Sequence, residues 1–168
     1  MSANSRFATM RRRVEAQGFV GLDDPTLADV GPWLRLAPAI CMTWAAVATI
    51  TASAAAFWAL VPFAALGAIL TGHPFDAIYN HGIRHILRKP HLPPYNAPRR
   101  FACGVATVWL ASAALAFQSG ATLLGTILGG SLVLAAAVPT FTDFCIPSFI
   151  YGLVFGKPSG CSIAKTRS

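Results

Sequence analysis

Charged positions are absent from two long stretches of the chain, Leu36 to Phe75 and Phe101 to Thr142. A single membrane span takes about 20 apolar residues to cross a hydrocarbon core of about 30 Å, so each stretch has room for a helical hairpin. The first predicts spans at about 36–55 and 58–71, the second at about 101–117 and 121–138, with QSGA (118–121) as a turn. The second span is short: roughly 14 residues at 1.5 Å each cover about 21 Å. The HPFD sequence (73–76) then either continues it through a proline kink or sits deep in the interface. The fold expected is an all-α membrane protein of four transmembrane helices arranged as two hairpins.

Between the hairpins the pattern changes. From Phe75 to Leu87 the apolar residues Phe75, Ile78, Tyr79, Ile83, Ile86 and Leu87 recur at helical spacing, and Asp76, Asn80, His81, Arg84, His85 and Arg88 fill the opposite stripe. This predicts an amphipathic interfacial helix with a basic face, opened by Pro74 and closed by Pro90. Asp76, Asn80 and Arg84 are spaced for a hydrogen-bonded ladder along it. In LPPYNAPRR (92–100) the prolines fix the backbone and remove amide donors, a strap that delivers Arg99 and Arg100 to the third span. Residues 72–100 thus read as a cytoplasmic collar. Ahead of the first span, residues 1–35 read as a tail with short interfacial helices. Phe7 to Val20 would lie on the membrane with Phe7, Met10, Val14 and Phe19 on its apolar side; Asp24 and Pro25 start a second helix that Gly31 and Pro32 end. Trp33 and Arg35 follow as interfacial anchors. Residues 157–168 form a C-terminal tail. Cys41 and Cys103 open their blocks alike, and LGAIL (66–70) matches LGTIL (124–128). A diverged repeat about an axis along the membrane normal is one reading of these matches; chance in alanine-rich sequence is the other.

Composition supports lipid as the solvent: hydrophobic residues make up 55% and charged ones 11%, against about 25% charged in soluble domains. The net charge of +7 would suit a nucleic-acid partner, but its distribution argues for topology instead. All thirteen lysines and arginines fall in the N-terminal tail to Arg35, the collar or the C-terminus. Two hairpins put these three places on one side, which the positive-inside rule makes cytoplasmic, with both termini there. No secretory signal is expected, since the first apolar run is longer than a signal core. Arg11, Arg12 and Arg13 form a topogenic or headgroup patch, each residue worth about 1 kcal/mol near an anionic leaflet. With Arg84, Arg88, Lys89, Arg99 and Arg100 they are candidates for contacts to membrane lipid, bound phospholipid or a partner; no nucleic acid is expected.

Candidate chemistry is concentrated in the collar and the cysteines. His81 and His85, four apart on one helix face, would make a metal site if His91, His73, Asp76 or Cys103 supplied a third ligand. No HExxH or paired CxxC accompanies them, so neither metal nor cofactor is expected. Cys41, Cys103 and Cys145 fall near the cytoplasmic interface and Cys161 in the tail, where a reducing cytosol argues against disulfides. CIPS (145–148) has the spacing of a CxxC motif with serine second. Arg99, Arg100 or a histidine would favour a thiolate there, which makes Cys145 and Cys103 redox candidates; inert buried thiols are the competing reading. Gly125 and Gly129 form a small-xxx-small face for helix packing, within the chain, in a homo-oligomer or against a membrane partner. The span interiors carry no acidic residue, histidine, lysine or arginine, which weakens a proton-coupled transporter. No nucleotide loop or hydrolase triad appears.

Three strings, HPFDAIYNHGIRHILRKPHLPPYNAPRRFACGVATVW (73–109), LLGTILGG (123–130) and FCIPSFIYGLVFG (144–156), resemble a family of small bacterial integral membrane proteins classed only as a domain of unknown function. The resemblance covers roughly 36–156 and implies a four-helix protein of the bacterial inner membrane with no activity to transfer. It also implies that relatives with cysteine at the position of Ser148 hold a dithiol that this chain lacks. The function expected is a non-enzymatic accessory or scaffolding subunit of an inner-membrane complex. The alternatives are a cytoplasmic-face thiol redox or metal-handling protein, and a small-solute or lipid transporter.

Overall fold

The computed structural model describes residues 3–156, and every regular element among them is helical. In chain order these are α1 (Ala3–Ala16), α2 (Asp24–Val30), a 3-10 turn (Trp33–Arg35) that runs into α3 (Leu36–Ile50), and α4 (Ala54–Ile69). The collar holds α5 (Asp76–Ile78), a π turn (Tyr79–Ile83) and α6 (Arg84–Leu87). Then come α7 (Ala97–Gln118), α8 (Thr122–Thr142) and α9 (Ile146–Phe155). Cys161 and the tail 157–168 lie outside the described residues, as does the Phe7 side chain.

The four long apolar helices form a bundle in which α4 lies along α7, α3 along α8, and α7 against α8, while α3 and α4 touch each other only lightly. Its core is rich in small side chains, Ala45, Ala48, Ala64, Ala113 and Ala114 among Phe57, Leu60, Leu110 and Leu132. Small residues let backbones come close, which is how helices associate where lipid offers no hydrophobic expulsion. Trp33–Ile50, α7 and α8 are long and apolar enough to cross a membrane; α4, at 16 residues, is an apolar helix below that length.

Boundaries differ from the sequence pattern for local reasons. The first hairpin turns at Thr51, Ala52 and Ser53, ahead of the position expected. Ala52 adopts a φ of 46°, and the Ser53 hydroxyl accepts the Ala56 amide as N-cap of α4. α7 starts at Ala97 rather than 101, because Pro98 falls in its first turn, where a missing N–H costs nothing. Arg99 and Arg100 therefore belong to the helix and not to the strap. α8 runs through Pro139 to Thr142 and stops at Asp143, whose φ of 56° is left-handed.

Residues ahead of the bundle build a second apolar core with the collar: Val14, Phe19, Leu27, Val30 and Leu34 pack with Tyr79, Leu92 and Tyr95. α1 and α2 are thus part of a cap over the end of the bundle where α3 and α7 begin. Within the collar the π turn shifts the register, so the Asp76, Asn80 and Arg84 side chains form no ladder. Asp76 is buried beside His73, Asn80 accepts the Leu92 amide at 3.1 Å, and Arg84 donates to the Asn80 carbonyl at 2.7 Å.

Asp143 joins cap to bundle. Its carboxylate takes both the Nε and an Nη of Arg35, and its carbonyl accepts from Gln17 at 2.7 Å. Asp143→Asn keeps a side chain that tolerates the left-handed backbone and removes the charge, so a thermal melt in mild detergent should show a loss of about 1 kcal/mol. Asp143→Ala adds backbone strain and should lose about 1 kcal/mol more. Equal melting of both variants and the parent would refute the joint.

Candidate functional site

Three elements bring the described cysteines to one place. Cys41 lies in the second turn of α3, Cys103 in the second turn of α7, and Cys145 is the N-cap of α9. All three are free thiols. Together with His73, Tyr95, Arg99 and Trp109 they line a cavity of about 130 Å³ at the capped end of the bundle, whose remaining wall is alanine, valine, leucine and proline. α9 is held there by Ser148, which is fully buried and donates to the Pro98 carbonyl at 3.1 Å. In the CIPS sequence only the cysteine and Pro147 line the cavity.

His73 sits in the turn that leaves α4. Its Nδ1 accepts the Phe75 amide at 3.3 Å, which assigns the ring proton to Nε2, and Nε2 stands 4.0 Å from the Cys41 sulfur. Burial, reinforced by the charge of Arg99, pushes the imidazole down to about 4, so it is neutral near pH 7. Gly67 makes room for this arrangement: a Cβ there would fall 2.7 Å from the His73 ring and 3.1 Å from the Cys103 sulfur. Asp76, which accepts the His73 amide at 3.2 Å, is also buried, and burial pushes its carboxyl up against the opposing pull of Tyr95 and Arg99. Burial likewise raises the Tyr95 phenol well above its usual range.

Arg99 is only 5% exposed. Its guanidinium donates to the Gln17 side chain and, at 3.1 Å, to the Leu34 carbonyl, and it packs over the rings of Phe19 and Tyr95 at 5.6 and 5.2 Å. The ion pairs found among the described residues, Arg11–Asp24, Arg35–Asp143 and Lys89–Asp29, do not include it. Trp109 has its indole N–H buried without a hydrogen-bond partner among the described residues.

The other residues singled out by sequence lie elsewhere. His81, His85 and His91 are exposed; Nδ1 of His81 faces the Ala77 carbonyl and that of His91 the Leu92 carbonyl. No group of three His, Cys, Asp or Glu close enough to hold a metal occurs among the described residues. Arg11 binds the Leu22 carbonyl and Asp24, Arg13 the Thr142 carbonyl, and Lys89 pairs with Asp29. Arg100 caps α4 by donating to the Ala68 and Ile69 carbonyls, while Arg12 and Arg88 are exposed. Gly125 faces the Phe117 ring, and Gly129 faces Thr49 and Phe57. Of the sequence candidates, then, Cys103, Cys145 and Arg99 meet in the cavity. Cys41, His73, Tyr95 and Trp109 complete it. Their only sequence signal is depth: Cys41 and Cys103 open their apolar blocks at the same level, and His73 closes the first.

A family model described as Domain of unknown function (DUF4395) matches residues 31–155. No curated protein and no solved structure matches the chain.

Proposed function

The chain belongs to this family of unknown function, and for it we propose a thiol-exchange protein at the cytoplasmic face of the bacterial inner membrane, with four spans and both termini cytoplasmic. α4 would be the fourth span: it packs along the full-length helix α7, although its 16 residues rise only about 24 Å. The described basic residues gather at the capped end, which supports placing that end in the cytoplasm.

The observation that carries the reading is that every described cysteine is unpaired and lines one cavity, with the Arg99 guanidinium among them. The thiolate is the attacking species; Arg99 is the charged group on the cavity wall that can stabilise it, and the apolar remainder of the wall opposes its formation. A cavity thiolate attacks one sulfur of an incoming disulfide; the S–S bond of that partner breaks, and its other sulfur leaves as a thiol carrying the proton the cysteine gave up. A second cavity cysteine then attacks the mixed disulfide, leaving a protein disulfide and releasing the partner's second thiol. No further oxidant is required.

Membrane vesicles carrying the protein with Cys161→Ser, exposed to a small disulfide and quenched with acid, test this. Leaving a single cavity cysteine, with the other two replaced by serine, should trap a mixed disulfide on it, and removing all three cavity cysteines should abolish it. Absence of any adduct on Cys41, Cys103 or Cys145 would sink the proposal. The accessory role rests on the exposed apolar girdle, including Ile50, Ile69, Leu123, Leu134 and Phe141, which acyl chains cover as well as a partner protein would.

A further inference from the structure

The cavity wall carries a positive charge even while its thiols are neutral. A buried cation normally has an anionic partner, since taking a charge out of water costs several kcal/mol per ion. Arg99 is buried and has no ion pair among the described residues. Asp76 relates to it through Tyr95, whose hydroxyl interacts with both. The polar groups that line the cavity are the Arg99 guanidinium, the imidazole of His73 with its proton on Nε2, the Trp109 indole, the Tyr95 hydroxyl and three thiols; no carboxylate is among them. The guanidinium carries the charge on this wall, while the Tyr95 hydroxyl gives its proton to Asp76 and the Trp109 N–H is closed off from the cavity, without an acceptor among the described residues.

We propose that the cavity binds a small, singly charged, weakly hydrated anion of the thiocyanate or nitrate class, held by Arg99. Three features select that class. The volume of about 130 Å³ is close to the roughly 150 Å³ of a cavity that accepts benzene, which admits a guest of a few heavy atoms. One guanidinium matches one negative charge. The wall is otherwise apolar, so an anion that sheds water easily enters at lower cost than sulfate or phosphate. α9, which begins at Cys145 on the cavity's edge, adds the positive end of a helix.

The inference deepens the reading above, because it takes the same cavity as the working site, but it needs no thiol reactivity. The experiment uses the full-length protein in mild detergent, with thiocyanate titrated against chloride at constant ionic strength. Alkylation of Cys103 and Cys145 should slow at least tenfold and saturably. The melting temperature should rise over the same range, although thiocyanate acting on the protein surface in general lowers it. Arg99→Lys should weaken binding while keeping some of it, and Arg99→Gln should abolish protection; if that variant fails to fold, Arg99→Lys still decides. Unchanged alkylation and melting in thiocyanate, protection unaffected by Arg99→Lys, or tighter binding of sulfate would each overturn the site. Mixed-disulfide trapping without anion protection would remove this inference alone, and protection without trapping would remove thiol exchange alone.

Discussion

Replacing Gly129 by valine is expected to destabilise the protein by about 3 kcal/mol, the upper part of the range for overpacked cores. A Cβ at this position would lie 2.3 Å from the Thr49 hydroxyl oxygen and 3.0 Å from a carbon of the Phe57 ring. Neither neighbour yields easily. The Thr49 hydroxyl donates to the Ala45 carbonyl at 2.7 Å, and Phe57 is fully buried and stacked on Phe117. Alanine alone therefore forces α3 and α8 apart, and valine adds two methyl groups to the same seam. Close packing is the main attraction between helices in lipid, so a small separation forfeits much of it. The comparison is Gly130→Ala, where a Cβ meets nothing within 4 Å and the gain in helix propensity should leave stability equal or higher by about 0.5–1 kcal/mol. Thermal or denaturant unfolding in micelles compares the two; Gly129→Val as stable as Gly130→Ala would refute the seam.

Acidification from pH 7 to pH 4 should cost about 3 kcal/mol at His73. The imidazole falls from about 6.5 in the unfolded chain to about 4 in the folded one, so over that interval the unfolded state binds more protons. Stability from the neutral ring is present in full above the unfolded value and is lost as pH falls toward the folded one. Asp76 acts in the opposite sense. Its carboxyl is raised by burial, so protonating it relieves the folded state as pH drops. The difference between the parent and His73→Gln isolates the histidine, since Asp76 is common to both. Melting curves across this range should fall more steeply for the parent; parallel curves would show that the ring is not held neutral by the fold. The local consequence is specific too: a proton on Nδ1 removes the acceptor for the Phe75 amide.

Much of this was readable from the chain, and what was not has a physical reason. Apolar length and the clustering of charge announce helices and their common basic end because both are properties of single segments. Pairings four apart within a helix are equally visible, which is why His81 and His85 attracted attention; they stand exposed, however. The cavity is made by groups distant in sequence, Cys41, His73, Cys103 and Cys145, whose meeting depends on how helices pack and not on any local period. The cap was hidden for a similar reason. Val14 and Phe19 read as part of a membrane-facing side, yet they pack with Tyr79, Leu92 and Tyr95 of the collar. The π turn has no sequence marker of its own. Arg99 was visible as a basic residue near a membrane boundary, and only burial distinguishes it from Arg100.

The pairing of helices also bears on how the protein is made. α3 rests chiefly on α8 and α4 on α7, with little contact between α3 and α4 themselves. On the proposed four-span topology, the hairpin synthesised first would enter the bilayer before either of its main partners exists, and its alanine-rich faces would stay in lipid until the second hairpin arrives. Cys41 and His73 wait with it for the helices that bring Cys103 and Cys145. On that topology insertion and assembly are separate events, and the cavity would come into being only at the second.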